Sequence, residues 1–188
     1  MRRHILRVAT VAAVSLALSA QASAAPFQAS AAPFSATFSG FNELGALNAE
    51  TGAILSQGTA TLDLDLNKTA QTLTFKLTFS GLSTPITQSH IHFGKVHVAG
   101  GVIVFFCASA GTPAPAGTAN CGGGTSGTVT GTITAANIIG PTPQNIAPGD
   151  FNALVEALES NTAYGNIHTT KFPAGEIRGE IRRGESED

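Results

Sequence analysis

Hydrophobic and polar residues alternate along two neighbouring stretches of the chain, and this alternation predicts β-strands. Residues 59–67, TATLDLDLN, place three leucines on one face and two aspartates on the other. Residues 72–82, TLTFKLTFSGL, repeat the pattern with leucine and phenylalanine against threonine and lysine. A period of two residues buries one face of a strand and exposes the other. The polar residues 67–71, NKTAQ, predict a turn, so the two strands should form an antiparallel hairpin.

Further segments predict strands of the same kind, and one predicts a helix. Residues 149–160, GDFNALVEALES, carry apolar side chains at helical spacing, with Asp150 as the N-cap. Residues 100–109, GGVIVFFCAS, form a nearly continuous apolar run that suits a central strand. The remaining predicted strands are 34–43, 127–134, 162–170 and 175–183. Short strands separated by turns favour an all-β fold, an antiparallel, Greek-key-like β-sandwich with one short helix near 151–160.

The N-terminal 24 residues have the organisation of a signal peptide. A basic segment, MRRHILR, precedes a short apolar stretch, and ASA at 22–24 is a cleavage motif. The sequence QASAAPF occurs twice in tandem, so cleavage after Ala31 is an alternative. Residues 25–33 then form a short tether, residues 34–183 the folded domain, and residues 184–188 a frayed tail. We expect an exported protein, periplasmic or extracellular, without a transmembrane anchor in the mature chain.

Composition narrows the class of partner. Hydrophobic residues make up 43% of the chain and charged residues 12%, which favours a folded β-rich domain over a disordered chain. Cleavage after Ala24 removes Arg2, Arg3 and Arg7, which leaves seven basic residues against twelve acidic ones and a net charge of −5. An acidic chain without basic clusters is a poor candidate for binding nucleic acid.

The chain has two cysteines, Cys107 and Cys121. In an exported protein such a pair predicts a disulfide. The bond would close a loop of about 15 residues and stabilise the fold by about 3 kcal/mol in the chain-entropy model. The alternative, a thiolate metal site, lacks a second cysteine pair.

Histidines are few, and three of them lie in two short motifs. In SHIHFGK (89–95), a strand would point His90 and His92 to the same face with their Cβ atoms about 6–7 Å apart. In NIHTT (166–170), Asn166 and His168 likewise share a face. By contrast, His97 falls at a turn and is expected to be exposed.

Two interpretations of these residues remain open. In the first, His90, His92 and His168 bind zinc or copper, with Glu176 as a fourth ligand or as a group that orients the ligands. In the second, the histidines form a hydrogen-bonded polar network that fixes strand pairing. The network would also include Asn166, Glu176 and Arg178, and an arginine there would disfavour a cation.

Several motifs together resemble a known family. SHIHFG, GGVIVFFC and AYGNIHTTKFPAGEIRGEI are similar to the CHRD domain, which is named after chordin and occurs in many exported bacterial proteins. FSATFSGFNE resembles the opening of that domain, so the resemblance spans about residues 34–183. It implies an immunoglobulin-like or dismutase-like β-sandwich and an extracytoplasmic location, and it carries no catalytic residues over to this chain.

The sequence therefore predicts a module without enzymatic activity. No G-x-S-x-G motif is present, and four histidines in the mature chain are too few for the two-metal site of copper–zinc superoxide dismutase. The leading hypothesis is a secreted structural or binding module with a histidine, glutamate and arginine polar cluster and a protein or polysaccharide partner. The alternative is an extracytoplasmic metal-binding protein, or a mononuclear zinc or copper enzyme, that uses His90, His92 and His168.

Overall fold

The computed structural model describes residues 34–184, except residues 45, 48 and 49. The predicted signal peptide, the predicted tether and residues 185–188 of the predicted tail lie outside the described residues. Within this part of the chain, no helix is both long enough and apolar enough to cross a membrane.

The described residues form eleven strands and one α-helix. The helix, α1, spans Phe151–Glu159. The strands are β1 Phe34–Ser39, β2 Ala46–Leu47, β3 Glu50–Thr51, β4 Thr59–Asn67, β5 Thr72–Ser80, β6 Ile86–Phe93, β7 Gly101–Ala108, β8 Gly127–Ile133, β9 Ala163–Thr169, β10 Ile177–Glu180 and β11 Arg182–Arg183.

Nine of these strands form one antiparallel sheet in the order β7-β6-β9-β10-β1-β4-β5-β8, with β11 paired to β1. The two outermost strands, β7 and β8, also approach each other, so the sheet curls into a nearly closed barrel. The separate pair β2–β3 forms a small ribbon. The predictions of an all-β antiparallel fold and one short helix are confirmed, whereas the Greek-key sandwich arrangement is not confirmed.

The hydrophobic core lies inside the curled sheet. The predicted hairpin forms between β4 and β5, with Leu62 opposite Leu77 and Leu64 opposite Phe75, and all four side chains are buried. Full burial of such a side chain contributes about 1.5–3 kcal/mol. The helix adds Leu154 to the same core, and these buried side chains explain why the alternating pattern predicted the elements well.

The predicted disulfide is present. Cys107, near the end of β7, and Cys121 are joined by a bond of 2.10 Å, with their Cα atoms 5.0 Å apart. The loop between them returns to the edge of β7, where the amide of Ala108 donates to the carbonyl of Ala119. The disulfide therefore holds this loop against an edge strand of the sheet.

The neighbouring strands β6, β9 and β10 are covered on both faces. All seven residues of β9 are buried, and Arg178 in β10 is 1% exposed. Two loops cover the face opposite the core: residues 94–100 and residues 170–175, whose carbonyl groups accept hydrogen bonds from side chains of these strands. The polar side chains of this face are consequently enclosed beneath the loops.

Candidate metal site

Strands β6 and β9 bring the three predicted histidines together. The two strands pair with His90 opposite Asn166 and His92 opposite Tyr164, so a short row of polar and aromatic side chains crosses both strands. One ring nitrogen from each of His90, His92 and His168 lies within 4.8 Å of the others. The three histidines are 3%, 9% and 7% exposed, respectively. The structure thus places the first three predicted site residues in one buried group.

Backbone carbonyls orient two of the rings. The Nδ1 of His92 lies 2.8 Å from the carbonyl oxygen of Gly100, and the Nδ1 of His168 lies 2.9 Å from that of Pro173. Because a carbonyl can only accept, each Nδ1 carries the hydrogen, and each Nε2 keeps a lone pair. This is the arrangement in which a second hydrogen bond fixes the tautomer of a metal-binding histidine.

The Nε2 atoms face the interior of the group. The Nε2 of His92 lies 2.9 Å from the Nδ1 of His90 and 3.1 Å from the Oδ1 of Asn166. The Nε2 of His168 is buried and has no hydrogen-bond partner. Buried polar atoms normally have a partner, so this bare lone pair needs an explanation such as an ion.

Burial keeps the histidines neutral. Desolvation is the main cause that lowers the pKa of His90 to about 2 and the pKa of His92 to about 4. Neighbouring histidines lower both values further, and burial also lowers the pKa of His168. At neutral pH the group therefore offers three uncharged imidazoles, the form in which histidine binds metals.

An aromatic and cationic layer lies beside His92. The ring of Tyr164 stacks on the ring of His92 with centroids 4.7 Å apart and planes within 1°. The guanidinium carbon of Arg178 lies 3.3 Å from the centroid of the Tyr164 ring. Because β9 lies between β6 and β10, Tyr164 separates the arginine from the histidine.

Tyr164 was not among the predicted site residues. The signal that would have found it is the alternation in AYGNIHTT, since Tyr164, Asn166 and His168 are spaced two residues apart on one face.

Arg178 is bound to its own set of partners. It donates to Glu180 over 3.0 and 2.8 Å, and to the carbonyls of Val98 and Lys95 in the loop that covers this face. The carboxylate partner of Arg178 is thus Glu180, and Arg178 contacts the histidine group through Tyr164.

The structure does not bring Glu176 into the histidine group. Its carboxylate is fully buried and accepts hydrogen bonds from the hydroxyls of Ser56, Ser83 and Thr169 and from the amide of Ser83, at 2.6 to 2.9 Å. Burial alone would raise the pKa of Glu176, but these hydrogen bonds together lower it below the ordinary value. Because both oxygens are engaged by these donors, we do not include Glu176 among the candidate ligands.

His97 lies apart from the group, as predicted. It is exposed in the loop 94–100 and has a positive φ of 59°. It therefore provides a matched control for substitutions of the buried histidines.

Comparison with known proteins identifies the family. The family model described as the CHRD domain matches residues 34–181, which include β1 through β10 and all three buried histidines. No curated protein and no solved structure matches the chain. The match covers most of the sequence, and the chain therefore belongs to the CHRD domain family.

Proposed function

We propose that this chain is an exported, non-enzymatic binding module whose ligand is a transition-metal ion, zinc or copper, held by His90, His92 and His168. The observation that carries the proposal is the buried Nε2 of His168, which has no hydrogen-bond partner and faces two other histidines. Imidazole nitrogen suits both metals. Backbone carbonyls hold the rings of His92 and His168. The Nδ1 of His90 donates to the Nε2 of His92, and an ion that binds the group replaces this hydrogen bond.

Export is the second part of this proposal. The N-terminal pattern of residues 1–24 supports it, and the disulfide is consistent with an oxidising compartment outside the cytoplasm. The family is likewise consistent with an extracellular location.

Metal content and thermal unfolding test the proposal. The mature protein is purified from its native compartment without chelators or a histidine tag and analysed for metals. We expect about one zinc or copper per chain, lost in His168→Ala and retained in His97→Ala. Adding the metal back to the chelator-treated protein should raise the unfolding temperature, because an ion that binds only the folded state stabilises it.

The opposite result supports the structural interpretation. If neither zinc nor copper co-purifies and neither shifts the unfolding temperature, the histidines act only as a hydrogen-bonded network that fixes the pairing of β6 and β9. In that case His168→Ala should lower stability without changing metal content, and the search turns to a protein or polysaccharide partner.

A further inference from the structure

The histidine group is unusual for a buried cation site because its ligands bring no negative charge. Among the described residues, the cluster of candidate ligands consists of His90, His92 and His168 alone, without a carboxylate or a thiolate. The chain has two cysteines, joined in the disulfide, and its one methionine is Met1. An ion at this site would thus keep its full charge among neutral groups.

Because the site is buried, the charge of an ion strongly affects how favourably it binds there. Each histidine is at least nine-tenths buried, so an ion among them loses most of its contact with water. The cost of moving an ion into a medium of low dielectric constant rises with the square of its charge, so it is about four times larger for a divalent ion than for a monovalent ion of equal size.

The ion pair next to Tyr164 is neutral as a whole. The guanidinium of Arg178 contacts the face of Tyr164, and Tyr164 stacks on His92. The carboxylate that pairs with Arg178 is that of Glu180, which bonds to the guanidinium and not to a histidine. Because the pair has no net charge, it does little to balance the charge of a bound ion.

The number of ligands also favours a monovalent ion over zinc. Zinc is bound by four ligands in structural sites, and by three protein ligands plus a water in catalytic sites. The buried group offers three imidazole nitrogens, and the carboxylate of Glu176 is held by hydroxyl groups elsewhere. Zinc would therefore need a water as its fourth ligand inside this enclosed group, whereas a cuprous ion is stable with three ligands.

From the charge of the ligand set, its burial and its three nitrogens, we infer that the site selects cuprous copper over divalent metals. The inference rests on the proposed metal-binding function and specifies which ion that function serves. The selectivity comes from charge and coordination number, because no sulfur ligand is available to favour a soft ion.

Competition titrations test this selectivity on the purified, disulfide-intact protein. Cuprous ion is added anaerobically against bicinchoninate, and zinc is added in parallel against a chromophoric chelator. No thiol reductant is used, and a thiol assay confirms that Cys107 and Cys121 remain oxidised. We expect one cuprous ion per chain, with a Kd at least about 100-fold below that for zinc, and loss of both affinities in His168→Ala.

A variant that introduces a negative charge provides an independent measurement. Asn166→Asp places a carboxylate where the Oδ1 of Asn166 lies 3.1 Å from the Nε2 of His92, and Asn166→Ser is the uncharged control. The new charge attracts zinc more than cuprous copper. The ratio of the Kd for zinc to the Kd for cuprous copper should therefore fall by about tenfold or more in Asn166→Asp but not in Asn166→Ser. Circular dichroism and thermal unfolding confirm that both variants are folded.

The outcomes separate the two proposals. Failure of both ions to bind the wild-type protein would overturn the metal-binding function itself. Binding of zinc as tight as that of cuprous copper would overturn the selectivity and leave the metal-binding function standing. An unchanged ratio in folded Asn166→Asp would also overturn the selectivity, because it would show that charge does not set the preference.

Discussion

Among individual residues, Glu176 is the buried charge whose role the contacts define most clearly. Its carboxylate joins three separate segments, because Ser56, Ser83 and Thr169 lie far apart in the sequence. In Glu176→Gln an amide group replaces one of the two acceptor oxygens and faces donors. We expect unfolding free energy to fall by about 3 kcal/mol, since hydrogen bonds to a charged group are worth about 1.5–3 kcal/mol each. Urea unfolding followed by circular dichroism measures the loss.

The matched control for this substitution is Glu156→Gln. Glu156 is exposed on α1, so its replacement should change the unfolding free energy by less than about 0.5 kcal/mol. Metal content should be unchanged in Glu176→Gln, because the carboxylate lies outside the histidine group. An equal loss of stability in both variants would contradict the structural role given to Glu176.

Among the elements, the loop closed by the disulfide depends on a single covalent link. The residues between Cys107 and Cys121 are rich in alanine, proline and glycine and form few hydrogen bonds with the sheet. The double variant Cys107→Ala, Cys121→Ala should lower the unfolding free energy by about 3 kcal/mol, because the unfolded chain regains the freedom that the closed loop removes. Chemical denaturation of the oxidised wild type and the variant, compared at the same pH, measures this difference.

The control for the disulfide prediction is the wild-type protein under reducing conditions. Reduction should destabilise the wild type to about the same extent and leave the double variant unchanged. If the variant unfolds at the same denaturant concentration as the oxidised wild type, the loop is held by its other contacts and the prediction is wrong.

The accuracy of sequence-based prediction differs between elements for a physical reason. β4 and β5 have one buried face and one exposed face, so the alternation of Leu64 and Phe75 with polar residues marks both strands directly. β9 is buried on both faces, and the loops 94–100 and 170–175 that cover it come from elsewhere in the chain. Local periodicity holds no information on such coverage.

The same limit of local sequence patterns explains why some residues of the candidate site could be predicted and others could not. The spacing of His90 and His92 and the motif around His168 identified three members of the buried group. The position of Glu176 could not be predicted in this way, because it depends on how Ser56 and Ser83 fold back onto the start of β10. Contacts over more than 90 residues of sequence set that position, and no motif records them.

At the scale of the whole molecule, the three buried histidines make the stability of the metal-free protein depend on pH. Burial lowers the pKa of all three in the folded state, to about 4 for His92 and about 2 for His90. In the unfolded chain they regain the ordinary value of about 6.5. Below that pH the unfolded chain binds more protons than the folded protein, so stability falls as the pH decreases.

The unfolding free energy of the metal-free protein should depend steeply on pH below about pH 6.5. A histidine that stays neutral in the folded protein contributes up to about 1.4 kcal/mol per pH unit, so His90 and His92 together should lower the unfolding free energy of the metal-free protein by about 2 kcal/mol between pH 6.5 and 5.5. His168 adds to this fall in the same direction. Glu176 does not interfere there, because its lowered pKa means that its contribution is lost only below the ordinary value of 4.5. Urea unfolding at half-unit steps of pH measures the slope.

A single substitution shows whether the histidines cause this slope. In His90→Gln the group with a folded-state pKa of about 2 can no longer take up a proton in the unfolded chain, so the fall between pH 6.5 and 5.5 should shrink by about 1 kcal/mol. His97→Gln, which changes an exposed histidine, should leave the slope near that of the wild type. A metal-free wild type whose stability is the same at pH 6.5 and 5.5 would show that the buried group accepts protons without unfolding. Such a group would be open to water, and the burial on which both the metal site and its preference for a monovalent ion depend would then be absent in solution.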